Sequence, residues 1–170
     1  YLTESAKKFT KEEAIAEAKR CLLCEEAYCN KRCPINSNPK EFVKLVATEQ
    51  FEKAIKLIRD NNPLFYSICT RVCPYDSYCV GGCRKSALGD NPIMIPFIQK
   101  YLVDYCDASD EVITSDHIQP KKVGQKVAII GSGPAGLAAA AVLGQKGYEV
   151  TVFEAKKEVG GWLSYGIPPH

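Results

Sequence analysis

Apolar residues recur at helical spacing over roughly the first hundred positions, and strand-like runs follow only towards the end of the chain. Ala14, Ile15, Ala18 and Leu22 share one helical face. Thr10 with Glu13 has the capping-box spacing just ahead of them, so a helix is predicted over 11–23. Asn38-Pro39 opens a second helix, with Phe42, Val43, Val46 and Ala47 inward. A third covers 51–60, with Phe51, Ala54, Ile55 and Ile58 inward, and Asn61-Asn62-Pro63 stops it. Pro92 and Pro96 bracket an extended stretch before a last helix near 97–105. Residues 107–125 are polar, contain Pro120 and Gly124, and read as a linker. Lys126–Ile130 has the composition of a buried parallel strand. Ala135–Gln145 is an alanine-rich helix ended by Gly147, and Glu149–Phe153 is a second strand. The pattern predicts a mainly α-helical N-terminal domain over 1–106, a linker over 107–125 and a βαβ unit over 126–170.

Composition narrows the function classes. A net charge of +2 over 170 residues gives no argument for nucleic acid or a membrane surface. No window approaches the roughly 18 uninterrupted apolar residues that a membrane span needs. The start, Tyr1 to Lys11, lacks the basic region and apolar core of a signal peptide. Nine cysteines in such a chain point to reduced thiols in the cytoplasm, and so to metal or catalysis. The odd count and two Cys-Pro pairs argue against a disulfide scaffold.

Eight of those cysteines form two tight groups. The first is Cys21-x2-Cys24-x4-Cys29-x3-Cys33-Pro34 and the second Cys69-x3-Cys73-Pro74-x4-Cys79-x3-Cys83. The bacterial ferredoxin run also ends in Cys-Pro, and its last cysteine serves the other cluster. Spacing therefore gives Cys21, Cys24 and Cys29 to one cluster and sends Cys33 to a second. The second group must return one ligand to the first cluster. Cys69 reads as a ligand or as a wall of the cluster cavity. Zinc is the competing metal, because structural zinc sites also use Cys-x2-Cys pairs; this would make the chain a zinc-stabilised binding module. The only histidines, His117 and His170, lie near neither group. Cys106 follows an apolar helix and reads as an ordinary buried thiol. Gly81-Gly82 allows close backbone approach within the second group.

The turn after the first strand is Gly131-Ser132-Gly133-Pro134-Ala135-Gly136. Its first glycine permits the tight turn, its second lets backbone approach a pyrophosphate, and its third allows close helix–strand packing. Glu154, 18 residues after Gly136 at the end of the second strand, can accept from a ribose hydroxyl. Glu154 followed by Gly160-Gly161 resembles the first dinucleotide domain of flavoprotein disulfide-reductase-like enzymes, and that resemblance implies FAD rather than a nicotinamide.

Together the cysteine groups, Asn62-Pro63-Leu64, Cys79-Val80-Gly81-Gly82-Cys83, Pro92-Ile93 and Gln99 resemble the N-terminal iron–sulfur domain shared by the glutamate synthase small subunit and dihydropyrimidine dehydrogenase. Gly160-Gly161-Trp162-Leu163-Ser164-Tyr165-Gly166-Ile167-Pro168 is similar to the flavin-side loop of that family. The resemblance implies an alpha-helical ferredoxin-like domain followed by a truncated α/β Rossmann-like βαβ unit. It implies that Cys21, Cys24, Cys29 and Cys83 bind one 4Fe–4S cluster, and that Cys33, Cys73, Cys79 and the Gln99 side-chain amide bind another. It leaves Cys69 off the ligand set. FAD would rest against residues 131–136, Glu154, Gly161, Trp162 and Leu163. The implied reaction takes electrons from NADPH or NADH through FAD and both clusters to a larger FMN/iron–sulfur subunit. Glutamate synthase comes first among the final reactions, with dihydropyrimidine dehydrogenase as the alternative. No catalytic acid, base or nucleophile is expected, and Asp107, Asp110, Glu111, Asp116 and His117 read as solvated linker. The chain looks like an N-terminal piece with no second glycine turn for NAD(P)H. Weak flavin retention and poorly protected strands are expected of it.

Overall fold

The computed structural model describes residues 8–64, 66–108 and 121–166. They belong to two compact units, a helical one within Ala6–Thr114 and an α/β one within Ser115–His170. The linker positions 109–120, with Asp110, Glu111, Asp116 and His117, lie outside the described residues, as do Ile167 to His170.

The helical unit runs α1 (Lys11–Lys19), α2 (Tyr28–Arg32), α3 (Pro39–Ala47), α4 (Phe51–Asn61), α5 (Tyr66–Val72), a 3-10 turn (Tyr75–Ser77), α6 (Arg84–Ala87) and α7 (Ile95–Ala108). The capping box forms as predicted: Glu13 N–H donates to Thr10 Oγ1 at 3.2 Å, and Thr10 N–H donates to Glu13 Oε2 at 2.9 Å. Apolar side chains at i, i+3 and i+4 on α3, α4 and α7 converge. Phe42, Val46, Ile55, Ile58, Ile98 and Leu102 are fully buried together with Ala14 of α1. Each such side chain contributes about 1.5–3 kcal/mol by leaving water.

Two boundaries differ from the sequence expectation. α1 stops at Lys19 instead of reaching 23, so Leu22, expected inward, is exposed. Leu23 takes a left-handed φ of 47°, which a helix cannot contain. Arg20 fixes the exit through Glu17 at 2.7 Å and the Asn91 carbonyl at 2.8 Å. α7 begins at Ile95, so Pro96 sits inside its first turn, where proline costs no hydrogen bond.

The α/β unit pairs β1 (Lys126–Ile130) parallel to β2 (Glu149–Phe153), from Lys126 opposite Glu149 to Ile130 opposite Phe153. Between them runs α8 (Pro134–Gln145), and α9 (Trp162–Tyr165) follows. Gly147, at φ 89°, ends the helix as expected. Neither strand is buried, although the composition of β1 is that of a buried parallel strand: Ile130 is 83% exposed and Phe153 54%. Among the described residues only α8 covers the sheet, and it covers one face. No helix among the described residues is long and apolar enough to cross a membrane.

Candidate iron–sulfur centre and nucleotide turn

The chain leaves α1 in a tight left-handed turn, and this presents Cys21 and Cys24 side by side. α2, not foreseen in the sequence, then carries Cys29 and delivers Cys33 at its C-terminal cap. Asn30 ties this short helix to α3: its Nδ2 donates to Asn38 Oδ1 at 2.7 Å, and its Oδ1 accepts from Lys40 N at 2.9 Å. Asn38 itself sits at a left-handed φ of 53°, so Asn30 caps α3 in its place.

Two cavities divide the thiols. Cys21, Cys24, Cys29 and Cys83 line one, walled by Val43 and Ile93. Cys33, Cys69, Cys73, Cys79 and Gln99 line the other. Pro39 and Ile95 border both, so the cavities adjoin. The cysteine groups thus exchange one member each: Cys33 joins the second group and Cys83 joins the first. Gln99, which would pass for a solvated helix residue, is only 8% exposed, and its Nε2 donates to the Tyr66 carbonyl at 3.4 Å. Cys69, absent from the ligand set that the resemblance implies, lines the second cavity beside Cys73. Its only visible sequence signal is the x3 spacing to Cys73, which follows directly after α5.

Gly81-Gly82 is required by space, as the sequence suggested. A Cβ on Gly81 would meet the Asp76 carbonyl oxygen at 2.0 Å, and one on Gly82 the Tyr28 carbonyl oxygen at 3.1 Å. Several donors already face sulfur. Ser37 N–H points at Cys33 Sγ at 3.4 Å with the Ser37 hydroxyl 3.2 Å away, and Ile93 N–H points at Cys83 Sγ at 3.4 Å. Such hydrogen bonds help to set cluster potentials.

Burial raises the thiols. It lifts Cys29 and Cys69 from 9.0 to about 11 and Cys79 to about 12, and it also lifts Cys21 and Cys73. Neighbouring thiols add to each shift; Cys79 is raised by Cys73, Cys33 and, across the two cavities, Cys29. A raised acid favours the fold while it stays protonated. The metal-free chain is therefore expected to keep its full stability below pH 9 and to lose it as pH climbs towards 11–12. Melting temperatures of the metal-free chain measured from pH 7 upward check this; a flat profile contradicts it. Iron reverses the preference, because it takes the thiolate.

The donor set suits a cluster. Four thiols in one apolar cavity, and three thiols with a thiol or amide in the next, match the four corners of a cubane. Among the described residues no three His, Cys, Asp or Glu side chains converge closely enough to hold a single ion. Tetrahedral zinc with bonds near 2.3 Å demands such convergence, whereas a cubane takes each thiolate on a separate iron.

In the α/β unit the turn follows β1 with Gly131 at φ 93°, Gly133 caps α8, and Pro134 takes its first position. Ser132 is fully buried. Glu154 Oε2 accepts from Ser132 N at 2.9 Å and from the Ser132 hydroxyl, while Lys156 N–H donates to Oε1 at 2.9 Å. These bonds, the Ser132 hydroxyl first, hold the half-buried Glu154 carboxyl down at about 2, so it is ionised across the working pH range. Gly160 N–H donates to the Ser132 carbonyl at 3.0 Å, and a Cβ on Gly161 would meet Gly133 Cα at 3.1 Å. The turn, Glu154 and Gly160-Gly161 are thereby gathered into one place. Trp162 is not packed there: it is 78% exposed and flanks a shallow hollow with Lys156 and Tyr165, and Leu163 is half-buried.

A helical unit that gathers thiols in two adjoining cavities, followed by a glycine-turn βαβ unit, is the domain pairing of iron–sulfur oxidoreductases that use nucleotide cofactors. The chain belongs to the family described as dihydropyrimidine dehydrogenase domain II, 4Fe–4S cluster, whose profile matches residues 1–111. Residues 129–167 match a NAD(P)-binding Rossmann-like domain. The chain is 41% identical over 170 residues to the NAD-dependent dihydropyrimidine dehydrogenase subunit PreT of Escherichia coli K12, covering 99% of this chain and 40% of that protein. It is 38% identical over 162 residues to the NADPH glutamate synthase small chain of the same organism, covering 94% of this chain and 33% of that protein. The Azospirillum brasilense glutamate synthase small chain is 36% identical over 161 residues, with 95% and 33% covered. The chain thus spans between a third and two-fifths of these relatives. The resemblance stated from cysteine spacing and Gln99 is correct at the level of the family.

Proposed function

We propose that this chain is the electron-relay part of an NAD(P)H-dependent flavin and iron–sulfur oxidoreductase of the cytoplasm. Cys21, Cys24, Cys29 and Cys83 hold one 4Fe–4S cluster, and Cys33, Cys73, Cys79 and Gln99 hold the second. The observation that carries this reading is the exchange of Cys33 and Cys83 between two adjoining thiol cavities. Bound clusters supply single-electron steps. The chain's residues fix the distance between them, exclude water with Val43, Ile93, Ile95 and Pro39, and direct N–H groups at sulfur. FAD is read at residues 131–136, Glu154, Gly161, Trp162 and Leu163. There the α8 N-terminus favours a pyrophosphate, and ionised Glu154 accepts from a ribose hydroxyl. The acceptor is a larger FMN/iron–sulfur subunit.

For the final reaction, glutamate synthesis is supported by 36–38% identity to small chains of glutamate synthase, and pyrimidine reduction by 41% identity to PreT over nearly the whole chain. Isolation of the native partner, and its NADH- or NADPH-dependent turnover, separates the two.

Anaerobic purification with iron, labile-sulfide and zinc assays tests the relay. About eight irons matched by eight sulfides, with a brown colour that bleaches on reduction, are expected for two cubanes. A colourless, zinc-loaded chain after iron–sulfur reconstitution overturns the reading in favour of a structural module. Within the second cavity, Ser37→Ala removes a hydroxyl beside Cys33. At about 1 kcal/mol for a lost hydrogen bond, the second cluster's potential is expected to fall by about 40 mV, read by redox titration. An unchanged potential contradicts that role for Ser37.

A further inference from the structure

The second cavity offers one donor too many. Cys33, Cys69, Cys73, Cys79 and Gln99 all line it, and a cubane has four corners. Two of the five share an anchor. Gln99 Nε2 donates to the carbonyl of Tyr66, in the first turn of α5. Cys69 lies three residues further along that helix, on the same face as Tyr66. Cys73 follows directly after the end of α5, and it lines the same cavity as Cys69. Cys69 also has a donor of its own: Asn62 Nδ2 points at its Sγ at 3.4 Å. An amide hydrogen aimed at sulfur is suited to a ligating thiolate, as Ser37 N–H is at Cys33.

We propose that Cys69 is a standby ligand of the second cluster, taking the fourth corner when the Gln99 amide is withdrawn. This rests on the two-cluster reading above. The exchange moves no electron. The Cys69 thiol releases its proton to solvent, the Gln99 oxygen leaves one iron, and Cys69 sulfur bonds to that iron. The fourth corner would then carry a charged thiolate in place of a neutral amide.

The test uses the whole chain, reconstituted anaerobically, as wild type, Gln99→Leu, Cys69→Ser, the double variant Gln99→Leu with Cys69→Ser, and Gln99→Leu with Cys106→Ser. Iron and sulfide per chain are measured, together with the electron paramagnetic resonance spectrum of the reduced protein. Wild type and both single variants are expected to hold about eight irons, two cubanes of four. Gln99→Leu should show an altered signal from the second cluster. The double variant should fall twofold, to about four irons, and the retained first cluster reports that the helical unit still folds. Gln99→Leu with Cys106→Ser, which loses a core thiol instead, should keep both clusters. Gln99→Leu alone falling as far as the double variant overturns the proposal, as does a double variant that keeps both clusters. Wild type holding only one cluster overturns the two-cluster reading first, and the proposal with it.

Discussion

Cys83→Ser is expected to remove the same cluster as Cys24→Ser, and Cys33→Ser the same cluster as Cys79→Ser. Each pair joins one residue from each sequence group, and the pairing follows from the two cavities. In each variant iron should fall by about half, from eight to four. The surviving resonance signal should be identical within a pair and different between pairs. If Cys83→Ser matched Cys79→Ser instead, the exchange of ligands would be wrong. The structural cost should also be large. α2, the Tyr75–Ser77 turn and α6 bury none of their own residues. Beyond the Asn30 bonds that tie α2 to α3, their order is then expected to depend on the cysteines that they carry or flank, as in small domains where metal binding and folding are one equilibrium. A lost cluster is expected to leave the segments 21–35 and 73–94 open to protease, while α3, α4 and the core half of α7 stay protected.

The same contrast explains what the sequence makes legible. α3 and α4 declare themselves because their stability is apolar burial, and burial leaves a periodic trace: Phe42, Val43, Val46, Phe51, Ala54, Ile55 and Ile58 are all predicted inward and all are buried. α2, α5 and α6 leave no such trace, since α2 and α6 bury no residue of their own and α5 buries only Thr70. The end of α1 escapes prediction because Leu22 continues the apolar period, whereas the Cys-x2-Cys turn needs Leu23 in a left-handed conformation. The site is legible in spacing up to the crossing of Cys33. The return of Cys83, and the role of Gln99, come from family resemblance rather than spacing, and both residues line the cavities to which that resemblance assigns them. Spacing leaves Cys69 as ligand or cavity wall, and the packing of α5 beside α7 brings it to the second cavity. β1 and β2 both read correctly as strands; the apolar run of β1 has the composition of a buried strand, yet it is open, because an apolar run reports what a strand is suited to, not what covers it.

Gly136→Ala is expected to destabilise the α/β unit by about 3 kcal/mol or more, at the upper end of overpacking costs. A Cβ there would lie 2.0 Å from the Gly131 carbonyl oxygen and 3.4 Å from Ile129 Cγ2. The nearer obstacle is backbone of the turn itself, which cannot rotate aside as a side chain could. Gly133→Ala separates folding from binding. Gly133 has φ −67°, open to any residue, and its Cβ would meet nothing within 4 Å. That variant should unfold within about 1 kcal/mol of wild type, while its methyl occupies the approach that the second glycine leaves for a pyrophosphate. Thermal unfolding followed in the α/β unit, with titration by FAD and by NAD(P), reads both effects. If Gly133→Ala bound nucleotide as wild type does, the turn would be a packing device for α8 alone. If Gly136→Ala were neutral, the close approach of α8 to β1 would not be what holds the turn in shape. The cluster spectrum is expected to be unchanged in both, since the proposed iron ligands all lie in the helical unit.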